Sequence, residues 1–337
     1  MKVAVIIPCL NEKAYIERTI DSILEARLDD VSLEIIVVDG LSTDGTAEIV
    51  RKKEALDSRV QLVSNVKRVT PVALNLGISH AQHADVKIIL GAHSEIDFDF
   101  IHRNLEVLKT QPEADCVGGV IENIYENETA KIVGLAMSSR FGVGDATFRI
   151  GGKAGFVETV AFGAYRKELF DKIGLFDERL VRNQDDEFNF RILKTGGKIY
   201  FDPSIKSKYF VRSSLKKLSR QYFQYGYWKV YVNAIHKTIT TWRQTIPFLF
   251  VLFLFFGIIL SPLSEAIFTV FLLGILTWGS LALTASVERK CPFWKWPNLI
   301  LVFFILHFFY GLGYAKGVLY FLIFKKTPNT FSPNITR

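Results

Sequence analysis

The sequence is poor in cysteine and, beyond residue 202, almost devoid of acid. Three cysteines in 337 residues (Cys9, Cys116, Cys291), odd in number and far apart, give neither a disulfide framework nor metal-ligand spacing. They fit a reducing, cytosolic setting for the folded part. The opening apolar stretch is only Val3–Ile7, ended by Pro8, too short for a signal peptide. No Gly-x-Gly-x-x-Gly follows the first strand pattern, which argues against a dinucleotide-dependent dehydrogenase. Residues 203–337 hold two acids, Glu265 and Glu288, against 16 basic side chains. The net charge of +7 therefore divides into −7 over residues 1–202 and +14 over the remainder. A nucleic-acid binder keeps its basic patch on a polar module. Here the basic part is also the apolar part, which excludes nucleic acid as a partner and points to membrane lipids.

Long apolar runs fill that part. Ile246–Leu260 carries no charge and is closed by Ser261-Pro262; Ala266–Val287 is uncharged over 22 residues, enough for a hydrocarbon core of about 30 Å. A third run, Leu299–Phe324, is interrupted by Gly311, Gly313, Lys316 and Gly317. Two to three transmembrane helices are expected, over 246–262, 266–287 and 298–324, the third either spanning or re-entrant. The basic, aromatic loop Glu288–Trp296 belongs in the cytoplasm by the positive-inside rule, with Trp294 and Trp296 at headgroup level. That makes a multi-pass protein of the cell membrane with its first 240 residues cytoplasmic. Between Pro203 and Thr240 no acid occurs, and Leu215, Leu218, Tyr222, Tyr225, Val232 and Ile235 recur at helical spacing. The segment 214–240 reads as an interfacial helix on anionic lipid, or else as a helix packed on its own domain.

The first part alternates strand and helix patterns: 3–7, 33–39, 60–63 and 86–90 as strands, with amphipathic stretches over 13–27, 43–53 and 71–81. Continuous apolar strands separated by helices predict an α/β domain, a mostly parallel sheet covered on both faces. Ligands of such sheets sit at the carboxyl ends of the strands. The loops to read are those after residues 7, 38 and 90. The second of these, Asp39–Thr46, is rich in turn residues and acceptors; Asp44 or Thr43 also suits the cap of the next helix.

These loops carry a resemblance. PCLNE (8–12), VVDGLSTDGT (37–46), ALNLGI (73–78), GAHSEID (91–97), FVETVAFGAYRKELFDKIGLFDE (156–178), RNQDDEFNFRI (182–192) and QYGYWK (224–229) resemble the family 2 glycosyltransferases of the GT-A fold, in particular the membrane-attached succinoglycan-type (ExoA-like) branch. The resemblance implies a GT-A (Rossmann-like) nucleotide-sugar-binding domain over 1–213, the helix 214–240 and a membrane region over 241–337. It implies that Pro8, Asn11 and Glu12 line the nucleotide pocket and that Asp39 meets the base or ribose. Ser42, Asp44 and Asn75 stand with them as substrate contacts. Gly91-Ala92-His93 falls where the family's metal-binding Asp-x-Asp lies, with glycine for the first aspartate. His93 is left as the candidate ligand for Mg2+ or Mn2+, and Glu95 or Asp97 as compensating acids.

Asp185 falls at the position of the family's catalytic base, with Gln184 where a glutamate usually precedes it and Asp186 as the neighbouring candidate. A sugar hydroxyl is a poor nucleophile and needs a carboxylate to take its proton; the three acids also suit the start of a helix. Gln224 and Trp228 match the Gln-x-x-Arg-Trp pattern of membrane polysaccharide synthases, with Tyr227 in place of arginine. Trp228 is read as a sugar-stacking platform or an interfacial anchor. The implied activity is inverting transfer from a nucleotide-sugar donor, UDP-linked, to a hydroxyl of a lipid-linked or polysaccharide acceptor. Its rivals are a polyprenyl-phosphate sugar synthase and a non-catalytic membrane scaffold.

Overall fold

The computed structural model describes residues 1–211 and 213–328; the end of the 241–337 region, from 329 on, lies outside them. The chain forms two compact units: Met1–Ile124 with Ala146–Phe210, and Tyr125–Asp145 with Val211–Pro328.

In chain order the first unit begins with β1 (Lys2–Cys9), α1 (Ile16–Leu24), β2 (Ser32–Asp39), α2 (Thr46–Leu56), β3 (Val60–Ser64) and α3 (Thr70–His80). Then come β4 (Val86–Ile89), β5 (Ser94–Ile96), α4 (Phe100–Thr110) and β6 (Cys116–Ile124). After α5 (Glu128–Met137) and α6 (Arg140–Val143), which belong to the second unit, it resumes with α7 (Thr147–Ile150), β7 (Gly155–Val157) and β8 (Ala161–Arg166). It ends with α8 (Lys167–Ile173), α9 (Gln184–Lys194) and β9 (Ile199–Phe210). The strands form one sheet in the order β3-β2-β1-β4-β8-β6-β9-β5, with β7 also on β9.

The expected parallel sheet is its first half, β3-β2-β1-β4. Antiparallel pairs of β8 with β4 and β6, and of β9 with β5 and β7, make the whole sheet mixed. The apolar run of β1 is continuous because both faces are covered. Val3, Val5 and Ile7 join Ile16, Ile20 and Ile23 of α1 in one core. Ala4 and Ile6 join Ala73, Leu74 and Ile78 of α3 in the other.

The second unit contains α10 (Leu215–His236), α11 (Ile246–Leu260), α12 (Glu265–Glu288) and α13 (Trp296–Gly317), the last extended by a π-helical stretch Val318–Ile323. Three helical segments, Trp242–Leu263, Glu265–Glu288 and Phe293–Ile323, are long and apolar enough to cross a membrane. The glycines that interrupt the third run in the sequence do not break the helix. A Cβ on Gly313 would stand 1.9 Å from the carbonyl oxygen of Phe223, and one on Gly226 the same distance from that of Tyr310. These glycines are where α10 and α13 approach backbone to backbone. The expected interfacial helix is present as α10, but Trp228 to Asn233 are buried on every side of it. Its first turns keep Lys216, Lys217 and Arg220 exposed, and its later turns pack on α13 within the second unit.

Residues 125–145, which the sequence places inside the first domain, are grouped with these helices by polar ties. Arg289 Nη1 donates to the carbonyl of Ser138 at 2.8 Å, Arg243 pairs with Asp145 at 3.0 Å, and Lys295 pairs with Glu128. Trp278 Nε1 donates to His307 Nδ1 at 3.1 Å. The other ring nitrogen, Nε2, therefore carries the proton and donates to the carbonyl of Phe141 at 2.7 Å. Gly226→Leu is expected to abolish the native thermal transition in detergent. Gly279→Ala, with nothing within 4 Å, should raise stability by about 0.5–1 kcal/mol. Melting curves of the two proteins decide this.

Candidate active site

The register of the sheet sets the site. Pro8 and Cys9 end β1 opposite Val38 and Asp39 of β2, so two polar loops leave the sheet side by side. They are laced together by side chains. Asp39 is buried, and its carboxylate accepts from Ser42 N–H at 2.9 Å, from the Ser42 hydroxyl and from Cys9 Sγ–H at 3.5 Å. Ser42 Oγ accepts from Asn11 N–H at 2.7 Å, and Asn11 Oδ1 accepts from Thr43 N–H at 2.8 Å. Thr46 Oγ1 accepts from Glu12 N–H at 2.9 Å. Asp44 closes the turn before α2, whose N-cap is Gly45: it accepts from Thr46 N–H at 3.0 Å, from the Thr46 hydroxyl and from Lys13 N–H at 3.1 Å. Burial opposes the charge of Asp44, but the bonds from Thr46 and Lys13 outweigh it and hold the carboxyl below its usual range. Asn11 (φ 55°) and Leu41 (φ 57°) lie in the left-handed region, where a non-glycine residue costs about 1–3 kcal/mol and persists only if its surroundings over-determine it. Arg68 braces the second loop by donating to the carbonyls of Gly40 and Leu41 at 3.0 and 3.1 Å.

The loop after β4 joins them, because β4 lies beside β1. His93 Nδ1 is 3.6 Å from Glu12 Oε1, buried and without a hydrogen bond. Thr19 holds the loop through the carbonyl of Ala92 at 3.0 Å. A Cβ on Gly91 would stand 3.2 Å from the ring of Phe162, itself at φ 49°. A side chain at this position would require the ring to shift by a few tenths of an ångström. Among the described residues no group of three His, Cys, Asp or Glu could hold a metal. Glu12 and His93 alone fit a cation that takes its other ligands from phosphate oxygens and water, as Mg2+ commonly does. Glu95 is paired with Arg18 at 2.7 Å.

On the same unit, α9 opens with Asn183 at φ 61° and carries Asp185, Asp186 and Glu187 in its first turn. Glu187 is buried and grips Arg191 (Nε to Oε1 2.8 Å), which also donates to the carbonyls of Ile173 and Leu175. It holds structure. Asp185 is solvent-exposed, and its carboxyl is in part desolvated by the protein around it. That desolvation, and then the charge of Asp186, push its carboxyl above the usual range against the bonds it accepts from backbone N–H groups and the charge of Arg182. The result is a reachable carboxylate with enhanced basicity.

Three candidates are occupied elsewhere. Asn75 exchanges hydrogen bonds with the backbone of Phe176, both at 2.9 Å. Gln224 and Trp228 are buried in α10 of the second unit. Trp228 packs on Tyr227, Tyr231 and Phe321, which fits neither an open stacking platform nor a headgroup anchor. Sequence reading did not single out Phe162, Arg68 or Arg149. Phe162 lies in the quoted segment 156–178, but an apolar side chain gives no chemical signal.

The family model for glycosyl transferase family 2 matches residues 4–174. The chain is 30% identical over 324 residues to a dolichyl N-acetyl-alpha-D-glucosaminyl phosphate 3-beta-D-2,3-diacetamido-2,3-dideoxy-beta-D-glucuronosyltransferase of Methanococcus voltae, covering 94% of this chain and 97% of the relative. It belongs to glycosyl transferase family 2. The succinoglycan biosynthesis protein ExoA of Rhizobium meliloti (strain 1021) is 31% identical over 245 residues, 72% of this chain and 73% of that protein. The GT-A fold of this glycosyltransferase is also that of GalNAc-T7, solved with UDP, GalNAc and Mn2+ (TM-score 0.51, 17% identity, 68% of this chain and 51% of that one).

Asp44→Ala should cost about 1 kcal/mol, the usual net value of a hydrogen bond such as those its carboxylate accepts. Because the folded pKa is lowered, that contribution is present above the unfolded pKa and is lost as pH falls through the folded one. Melting temperatures of the two proteins should therefore differ at pH 7 and converge in strong acid.

Proposed function

We propose that this glycosyltransferase is inverting, and moves a sugar from a UDP-linked donor to a hydroxyl of a lipid-linked saccharide at the cytoplasmic face of the cell membrane. The observation that carries this is Asp185, a carboxylate open to solvent at the start of α9 and raised in basicity by its surroundings. It takes the proton of the acceptor hydroxyl as that oxygen attacks the anomeric carbon. The bond from that carbon to the diphosphate breaks on the opposite face, and the nucleoside diphosphate leaves with the electron pair. Pro8, Asn11, Glu12, Asp39, Ser42 and Asp44 form the nucleotide side of the site. Asp39 and Asp44 act mainly by fixing the loops, because their carboxylates are committed there. Asn75, Gln224 and Trp228 hold the fold. Glu12 and His93 are the residues that would hold a Mg2+ or Mn2+ ion, and such an ion would offset the charge developing on the departing diphosphate.

The Methanococcus voltae relative is named for transfer to position 3 of a lipid-linked N-acetylglucosamine, which favours a hydroxyl acceptor over a polyprenyl phosphate. An anionic phosphate acceptor would need no base. Asp185→Asn is expected to lower kcat by about 10²-fold or more in detergent-solubilised enzyme with its lipid-linked acceptor. Full activity in that variant would mean that the assignment of the base is wrong. Asp186→Asn removes the charge that raises Asp185, so the Asp185 anion becomes easier to form. The acidic limb of kcat/KM, where activity rises with pH as the base deprotonates, should move to lower pH.

A further inference from the structure

We infer that Arg149, on the short helix α7, receives the diphosphate of the donor, a role that rests on the glycosyltransferase reading above. Its Nη1 is buried and has no hydrogen-bond acceptor among the described residues. No carboxylate is paired with it there either, although this unit is rich in acids. A buried donor left unsatisfied costs about 1–3 kcal/mol, more when charged, so an arginine kept in this state is built for an acceptor that arrives with a ligand.

Its surroundings say where that acceptor lies. The guanidinium carbon sits 5.3 Å from the ring centre of Phe148 and 5.8 Å from that of Tyr209. Two aromatic rings thus flank the cation, and the residue as a whole is half-buried rather than enclosed. The ring of Tyr209 also meets that of His93, with centres 4.9 Å apart, and Tyr209 stands in register with Ser94 on β5. His93 Nδ1 is the other orphaned polar atom of this cluster, beside Glu12. Two unsatisfied polar groups, one a permanent cation, are therefore tied through one tyrosine to the loops at the strand ends. Planar, bidentate binding of phosphate oxygens is what a guanidinium does best. A nucleoside diphosphate, anionic before transfer and more so as it leaves, matches that preference.

The test uses the full-length protein in detergent, without metal (EDTA present), and measures binding of UDP, GDP, CDP and dTDP, each beside its own nucleoside. The wild type is expected to bind one diphosphate well above its nucleoside. Arg149→Met should weaken that diphosphate by about ten- to a hundredfold, the scale of a charge-assisted hydrogen bond, and leave nucleoside affinity unchanged. Arg149→Lys should fall between the two. Undiminished diphosphate binding by Arg149→Met, beside a discriminating wild type, overturns the inference and leaves the glycosyltransferase reading standing. Equal loss for diphosphate and nucleoside would show a structural role and overturns it too. Absence of diphosphate binding by the wild type without metal overturns the inference alone, and absence with Mg2+ restored as well would sink the proposed donor reading too.

Discussion

The site depends on one buried carboxylate. Asp39 ends β2 with three donors on its two oxygens, and two of them come from Ser42, three residues on. Ser42 can then accept from the backbone of Asn11, and Asn11 returns an acceptor to Thr43. In a low-dielectric setting such bonds reinforce one another, and breaking one exposes the rest. The closed circuit holds Asn11 at a positive φ it would not choose alone. It also brings Glu12, the next residue, to His93 on the neighbouring strand end. Geometry at the mouth of the sheet is thus set by acids that act on the backbone. The acid proposed to do chemistry, Asp185, stands on a different element.

The second unit uses charge differently. Its cations flank the apolar helices, and three of them, Arg243, Arg289 and Lys295, reach into the excursion between β6 and α7. A −7 domain and a +14 tail are therefore divided by sequence less sharply than by fold. Residues 125–145 belong in sequence to the first part and in packing to the second. Glycines do for α10 and α13 what large apolar side chains do in a water-soluble core. Where lipid tails are as apolar as leucine, close approach of backbones is a main source of attraction.

Much of this was legible in the residues. Val3–Ile7 announced a strand covered on both faces, and the loops after it announced where to look. The second half of the sheet was not, because β5 and β7 are three residues each and short antiparallel strands leave no period to read. Gly311, Gly313 and Gly317 looked like interruptions, since propensity counts the missing side chain and cannot see the carbonyl that needs its space. Trp228 reads equally as an open platform or an interfacial anchor for the same reason: pattern gives identity, and only packing gives exposure. Asn75 and Glu187 carry the right chemistry but are committed to the backbone of Phe176 and to Arg191. Arg149 was passed over because no spacing marks an arginine whose value lies in lacking a partner.

The departure at Gly91 has a consistent electrostatic meaning. A metal held by two carboxylates would be neutralised before any substrate arrived. Held by Glu12 and His93, with one carboxylate in place of two, a divalent ion would keep more of its charge for the diphosphate. The gain comes with weaker retention, because hard cations prefer carboxylate oxygen. Such an ion would be held best where phosphate oxygens of the donor complete its shell. The ring of Phe162 lies against Gly91, where the family's first acid would stand. A permanent cation beside this arrangement removes the need for the metal to arrive first. Arg149 has a fixed charge at any physiological pH and two aromatic rings flanking it. It can engage the donor before the ion and keep its grip as charge builds on the leaving group.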